Sequence, residues 1–337
     1  MTIDILLRDL SKWLAATPLS HTIQTNGWVI PTLQTIHILS VAVLFSSAIL
    51  VDLRFYRALQ RDVPLADIAR RFLPTIWPVL LILLITGSLL IIGEPRRSLL
   101  NNTFYLKMAL LAVAVLLTLA LQWSLHAAPE FWERDRRRRI AGQLAATVSI
   151  LVWCGHPLRR TLDRLHAGRM MPLFADLISY FENSALADNI RENDLLFPLI
   201  ESIHVLAICL VVGSILAVDL RLLGLAWINR PVSSVTHGIL PLTWGAFVVA
   251  VASGGLLFIS NATKYLGNGF FVAKLCLIGA AGVNMAIFHF IGAKDMSKWD
   301  NDTRLPLPAR LAGGLSILLW IAVVACGRWI GFTMQPG

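Results

Sequence analysis

Two imidazoles stand inside long apolar runs: His37 in IPTLQTIHILSVAVLF and His204 in FPLIESIHVLAICLVV. An ionisable residue within a hydrocarbon span is a functional candidate by default. A neutral imidazole can ligate a metal or carry a proton, or it can be a core histidine bonded to a backbone carbonyl. That last reading suits a lone membrane histidine as well as any functional one. Two histidines at the same place in two related segments favour a site. Three residues before each stands Gln34 or Glu201, on the same helical face. Such a group can orient the imidazole through its second nitrogen, or it can be a polar contact at a helix end. Lys107 and Lys274 open later apolar runs. At ~1.5 Å per residue their depth differs from that of the histidines by roughly one turn, so histidine and lysine can face one pocket. The competing reading is a lysine that snorkels to the headgroups.

These residues need a membrane around them. The chain is 56% hydrophobic and only 15% charged, and its mean hydropathy is +0.69. Soluble domains carry about 25% charged residues, so a soluble enzyme, a disordered chain and a secreted disulfide scaffold are all excluded. The net charge of +9 does not point to nucleic acid. The arginines sit in short loops between apolar runs, as topology determinants do. Cys154, Cys209, Cys276 and Cys326 all lie inside apolar runs with no CxxC pair and read as small buried residues. The opening MTIDILLRDLSKWL carries charges where a cleavable signal needs an uninterrupted apolar core.

Eight runs are long enough to cross a bilayer, near 30–52, 73–93, 104–125, 140–156, 197–219, 239–260, 270–292 and 308–332. The fourth is the shortest. Backbone polar groups in lipid must be satisfied within their own segment, so the runs are expected to be helices.

An internal repeat organises them. Shifted by 167 residues, IPTLQTIHILSVAVLFSSAILVDLR falls on FPLIESIHVLAICLVVGSILAVDLR without a gap. Pro74 and Trp77 then meet Pro241 and Trp244, Gly87 meets Gly254, and Lys107 meets Lys274. The expected fold is an all-α integral membrane protein: a tandem duplication of a four-helix unit in parallel orientation. Residues 1–155 form the first repeat, and 156–337 hold a joining segment and the second. Four spans per repeat give both halves one orientation, with a pseudo-two-fold axis along the membrane normal. LRDLSKWLAATPLSHTIQTN and FADLISYFENSALADNIREN precede the first spans and read as amphipathic helices on the membrane surface.

The loops after spans 1, 3, 5 and 7, with their flanks, hold over half of the 29 basic residues. The expectation is a bacterial inner-membrane protein with these loops cytoplasmic and both termini periplasmic. The basic joining segment HPLRRTLDRLHAGR runs against that bias. Asp52–Arg54 and Asp219–Arg221 end the first spans and are expected to fix the helix ends by ion pairs or hydrogen bonds. His126 and His289 lie about 20 Å from the first pair in depth, and His237 can meet His289 near the cytoplasmic face. No P-loop, GxGxxG, HExxH, GxSxG or MxxM stripe is present.

One repeat thus reads IHxL…DLR in its first span, glycine in its second and lysine at the start of its third. This resembles the four-helix unit of the HemJ-type protoporphyrinogen oxidases and the CopD-like copper-resistance proteins. The motif PxxExxHxLxxxxxxGSxxxxDLRLLG at 198–224 is similar to an uncharacterised bacterial multi-span family of the DUF6644 type. The HemJ resemblance implies haem b, with His37, His204, Lys107 and Lys274 as the residues that carry over. The histidine of the third span is displaced in the first repeat.

The expected function is therefore a haem b-binding membrane protein moving electrons near the periplasmic face, with His37 and His204 as metal ligands and Gln34, Glu201, Lys107 and Lys274 around the cofactor. One haem shared by His37 and His204, or one per repeat, both fit. The alternatives are a transporter of copper or a small solute, and a non-catalytic membrane subunit. The expected partners are the lipid bilayer, a periplasmic redox protein and further subunits in a homo- or hetero-oligomer, with no nucleic acid.

Overall fold

The structure is a computed structural model; it describes residues 2–56, 65–127, 140, 142–144, 146–147, 180–193, 195–292 and 296–334. Every regular element among the described residues is helical. Among the described residues seven helices are long and apolar enough to cross a membrane, which makes this a multi-pass membrane protein. The chain divides into two compact units, Met1–His156 and Pro157–Gly337.

In the first unit, α1 (Thr2–Ala15) and α2 (Pro18–Thr25) precede α3 (Val29–Phe55), α4 (Leu65–Gly93), the short α5 (Pro95–Leu99) and α6 (Asn102–Ala127). The expected single amphipathic stretch is broken where Pro18 cannot continue α1 and starts α2 instead. The outer face of α1 presents Leu6, Leu10 and Trp13, spaced to share one side. The spanning helix α3 packs chiefly on α4. Most of the proposed span at 140–156, and the joining segment, lie outside the described residues.

In the second unit, α7 (Ala185–Glu192) leads into α8 (Leu196–Leu222), α9 (Val232–Ser260), α10 (Ala262–Leu266), α11 (Gly269–Ile287), α12 (Met296–Trp299) and α13 (Leu307–Thr333). A π-helical turn, Phe288–Gly292, follows α11 directly. The core helix α8 packs on α9 and α13, and α11 packs on α13. Helix α8 ends in a Schellman arrangement: Leu225 N–H bonds Leu220 C=O at 3.0 Å, Gly224 N–H bonds Arg221 C=O at 3.0 Å, and Gly224 takes φ +72°.

The helices begin earlier than the apolar runs. α4 starts at Leu65 rather than 73 and α9 at Val232 rather than 239. Hydropathy marks the lipid, whereas the helix continues through polar turns. The first turn of α9 is held by Asp300, which accepts from Ser233 N–H at 2.7 Å and Ser233 Oγ at 2.6 Å. Arg221 is fully buried, and hydrogen bonds fix this helix end as expected, to partners other than Asp219. It donates from Nε to Arg230 C=O at 2.8 Å and from Nη2 to Asp302 C=O at 3.1 Å, while Asp219 is bonded by Ser316. Two residues apart on a helix, Asp219 and Arg221 point to different sides, so the arginine ties down loops rather than its neighbour.

Several tertiary contacts recur at the 167-residue offset. Thr17 caps α2 by accepting from Ser20 N–H at 3.3 Å, and Ser184 caps α7 by accepting from Ala187 N–H at 3.2 Å. Gln24 Nε2 donates to the last carbonyl of α4, on Gly93, at 2.9 Å; Arg191 Nη1 donates to that of α9, on Ser260, at 3.1 Å. Tyr56 bonds the Thr147 hydroxyl, and its counterpart Leu223 lies 3.7 Å from where a Cβ on Gly314 would stand.

Candidate functional site

In the second unit the site is built at one end of the bundle. His204 stands about two turns into α8, and Ser253 and Gly254 about two turns before the end of α9. Lys274 is in the second turn of α11, and Gly327 and Arg328 are in the last two turns of α13. The antiparallel run of α8, α9, α11 and α13 brings these positions to similar depth.

His204 Nδ1 lies 2.9 Å from Ala250 C=O and 3.1 Å from Ser253 Oγ. A carbonyl only accepts, so Nδ1 carries the proton and Nε2 carries the lone pair. The Ser253 hydroxyl donates to Val249 C=O at 2.6 Å. Gly254 makes the seat: a Cβ there would stand 2.8 Å from His204 Cε1 and 3.3 Å from Nδ1. The ring is thus laid against bare backbone of α9.

The first unit repeats the scheme with other groups. His37 Nδ1 lies 2.8 Å from Thr86 Oγ1, and the Thr86 hydroxyl donates to Ile82 C=O at 2.7 Å. With its own proton committed there, Thr86 accepts from the imidazole, which imposes the same tautomer. Gly87 adjoins the ring, with a Cβ position 3.5 Å from Cε1. Thr86 and Ser253 are offset by the same 167 residues as the histidines.

Among the described residues Lys274, Glu201 and Arg328 bring charge to this end of the unit. Lys274 interacts electrostatically with His204, and its stem lies over Gly327, 3.7 Å from Nζ to where a Cβ would stand. Glu201 interacts with Arg328 and with Tyr265. It does not orient the imidazole; Ala250 and Ser253 do that from the neighbouring helix. Tyr265 lies in α10, outside the spanning helices, beside Phe258 and Phe271 with ring centroids 6.4 and 5.2 Å away. Burial first, and the charge of Glu201 second, push its hydroxyl up to about 12, so it stays a neutral donor at physiological pH.

Gln34 sits one turn before His37 on α3, half-buried. The backbone of Lys107 lies in the second turn of α6, while its side chain falls outside the described residues, as does that of His126. His237 and His289 are not brought together. His237 Nδ1 bonds Ser233 C=O at 2.8 Å, and the His289 ring meets Phe290 edge-on in the π-helical turn. Among the described residues, no three His, Cys, Asp or Glu side chains converge as a metal cage.

Sequence reasoning missed the groups that aim the imidazoles. Thr86 and Ser253 look like ordinary hydroxyls bonded back to their own helix, and Ala250 acts through its carbonyl. Only their recurrence at the repeat offset, next to Gly87 and Gly254, could have marked them.

Spanning helices that carry anchored histidines in their interior define a multi-pass helical membrane protein with a polar intramembrane site. Comparison with protein families identifies it further: the chain matches the family of unknown function DUF6644 over residues 10–158 and 194–333 and belongs to it. No curated protein and no solved structure matches it.

Proposed function

We propose that the protein binds haem b through His204, and through His37 in the first unit, and transfers electrons near the periplasmic face of a bacterial inner membrane. The observation that carries this reading is the hydrogen bond from His204 Nδ1 to Ala250 C=O, which leaves Nε2 as a neutral, directed ligand atom. Ligating imidazoles are oriented in this way through their other nitrogen. The donor set fits a porphyrin better than a bare ion. A caged ion needs several protein ligands, whereas haem brings four nitrogens and asks for one or two more. Haem b, when bound, supplies a one-electron couple inside the membrane.

The chain's own residues then have defined tasks. Ala250 and Ser253 hold the ring's tautomer, Gly254 holds its position, and Lys274 adds positive charge beside it. The proposed architecture is eight spans, formed as a tandem duplication of a four-helix unit with both copies in one membrane orientation and both termini periplasmic. The recurring caps and carbonyl contacts support it, as does the helical stretch at 142–144 and 146–147 beside the end of α3. The partner proposed is a periplasmic redox protein.

The test is the absorption spectrum of protein purified from haem-replete membranes. A Soret band and a reduced α band are expected, with His204→Ala abolishing or shifting them and His289→Ala leaving them nearly unchanged. A colourless wild type, or an unaltered spectrum in His204→Ala, would remove the reading.

A further inference from the structure

Lys274 stands half-buried in a spanning helix, within electrostatic reach of the Cys326 thiol, yet among the described residues it forms no salt bridge and no hydrogen bond. The acid within reach of this end of the unit, Glu201, has its charge interaction with Arg328. Asp188 is paired with Arg191, and Glu182 bonds the Thr263 backbone and hydroxyl at the start of α10. His204 is committed as a hydrogen-bond donor to α9 and offers a lone pair, not a negative charge. Among the described residues the site therefore holds one positive charge with no carboxylate paired to it. A cation inside a membrane span pairs, lines a water-filled cavity or reaches the interface. Lys274 is not simply extended to the headgroups. Its stem is laid across α13 where Gly327 has no Cβ, with Cδ, Cε and Nζ all 3.7 to 3.9 Å from the place a Cβ would occupy. A Cβ there would meet the stem at ordinary van der Waals distance, so the amine lies alongside the backbone of α13, at the depth of Gly327.

We infer that Lys274 is the receptor for a carboxylate of an amphipathic ligand whose apolar body lies against the His204 end of the second unit. The inference rests on the haem reading for the identity of that ligand, with a propionate as the carboxylate. It assigns the amine to the ligand's acid group and leaves the metal to His204. An ammonium bonded to a carboxylate in a poorly solvated site makes a charge-assisted hydrogen bond, and the same contact to an ester is weak. The site thus distinguishes acid from ester.

The experiment uses the full-length protein in phosphatidylcholine nanodiscs, titrated with metal-free protoporphyrin IX and with its dimethyl ester, both followed by fluorescence. Wild type is expected to bind the acid at least tenfold more tightly than the ester. Lys274→Met removes that preference, and Lys274→Arg retains it, which also shows that the pocket is folded. Equal binding of acid and ester by wild type overturns the inference, as does an undiminished preference in Lys274→Met. Repeating the titration in phosphatidylglycerol nanodiscs tests the other source of anionic oxygen. A preference present in phosphatidylcholine and erased by phosphatidylglycerol, after correction for the partitioning of acid and ester into protein-free nanodiscs of the same lipid, means that the lysine serves a lipid phosphate, and this too overturns the carboxylate assignment. Because the probe lacks iron, an acid preference without any haem spectrum sinks only the metal reading. A haem spectrum without an acid preference sinks only this one.

Discussion

The two units place a histidine on the same turn of the same helix and hold it by different chemistry. In the second, the imidazole is fixed by a backbone carbonyl and pressed on a glycine that leaves no spare space. In the first, it is fixed by one threonine hydroxyl, with ordinary van der Waals clearance at the glycine. The tautomer is the same, but its security is not. A carbonyl cannot donate and survives any side-chain substitution, whereas the hydroxyl of Thr86 accepts only because its proton goes to Ile82. The second unit also carries Glu201 where the first carries Gln34. It is thus the more constrained and more charged of the two.

The largest difference is expected at the paired glycines. Gly254→Ala places a methyl 2.8 Å from the His204 ring, which is hydrogen-bonded and cannot swing freely. Overpacking of this kind costs about 1–3 kcal/mol, and the imidazole is displaced. Gly87→Ala meets His37 at 3.5 Å, and the gain in helix propensity of up to about 1 kcal/mol offsets any crowding. Thermal unfolding of the detergent-solubilised variants measures both; equal losses would erase the distinction between the two seats.

Next come the hydroxyls. Thr86→Val takes away the acceptor at His37 Nδ1 and is expected to cost about 1–3 kcal/mol, the range for a buried donor left without its partner. Ser253→Ala leaves the Ala250 carbonyl in place and is expected to cost less than about 1 kcal/mol. Nitrogen NMR of labelled imidazoles reads the tautomers directly. The Nδ1–H form should persist in Ser253→Ala and be disturbed in Thr86→Val.

The short helices α2 and α7 should behave alike in both units, because Gln24 and Arg191 reach equivalent carbonyls. Gln24 also bonds Ser20 Oγ and Arg191 also pairs with Asp188, so alanine at either position is expected to cost about 1–3 kcal/mol, the net worth of two hydrogen bonds. A loss confined to one unit would show that the recurrence is geometric rather than energetic. The smallest effect is expected at Tyr265, which has Ser98 at its counterpart position. Its hydroxyl is raised from 10 to about 12, so the folded state favours the neutral phenol. That contribution is complete below pH 10 and is lost as pH rises from 10 toward 12. In an ultraviolet phenol titration, Tyr265→Phe should remove the component that ionises last.

The spans were legible because a bilayer imposes a length and a composition that hydropathy reads directly, and α3, α6, α8 and α13 fall within three residues of their apolar runs. The amphipathic entry to each unit was legible as well. Its caps, Thr17 and Ser184, follow from ordinary helix-start chemistry. The histidines were legible as outliers in lipid. What aims them was not, since a backbone carbonyl has no letter in the sequence and a membrane hydroxyl usually serves its own helix. The DLR motif was legible as a helix end fixed by ion pairs or hydrogen bonds, but the acceptors of those bonds were not. Its arginine reaches carbonyls roughly eighty residues further along the chain.

That reach has a consequence in time. A ribosome makes Arg221 long before it makes Asp300 and Asp302, whose carbonyls the guanidinium will hold. While α8 and α9 are already being threaded into the bilayer, this arginine has only part of its final setting, the nearby carbonyl of Arg230. Its burial is completed only when the segment between α11 and α13 returns to the same face. The latch at the C-terminal end of α8 is therefore the last part of the second unit to close, and an interruption of synthesis after α9 leaves a charged, half-solvated end open to quality control.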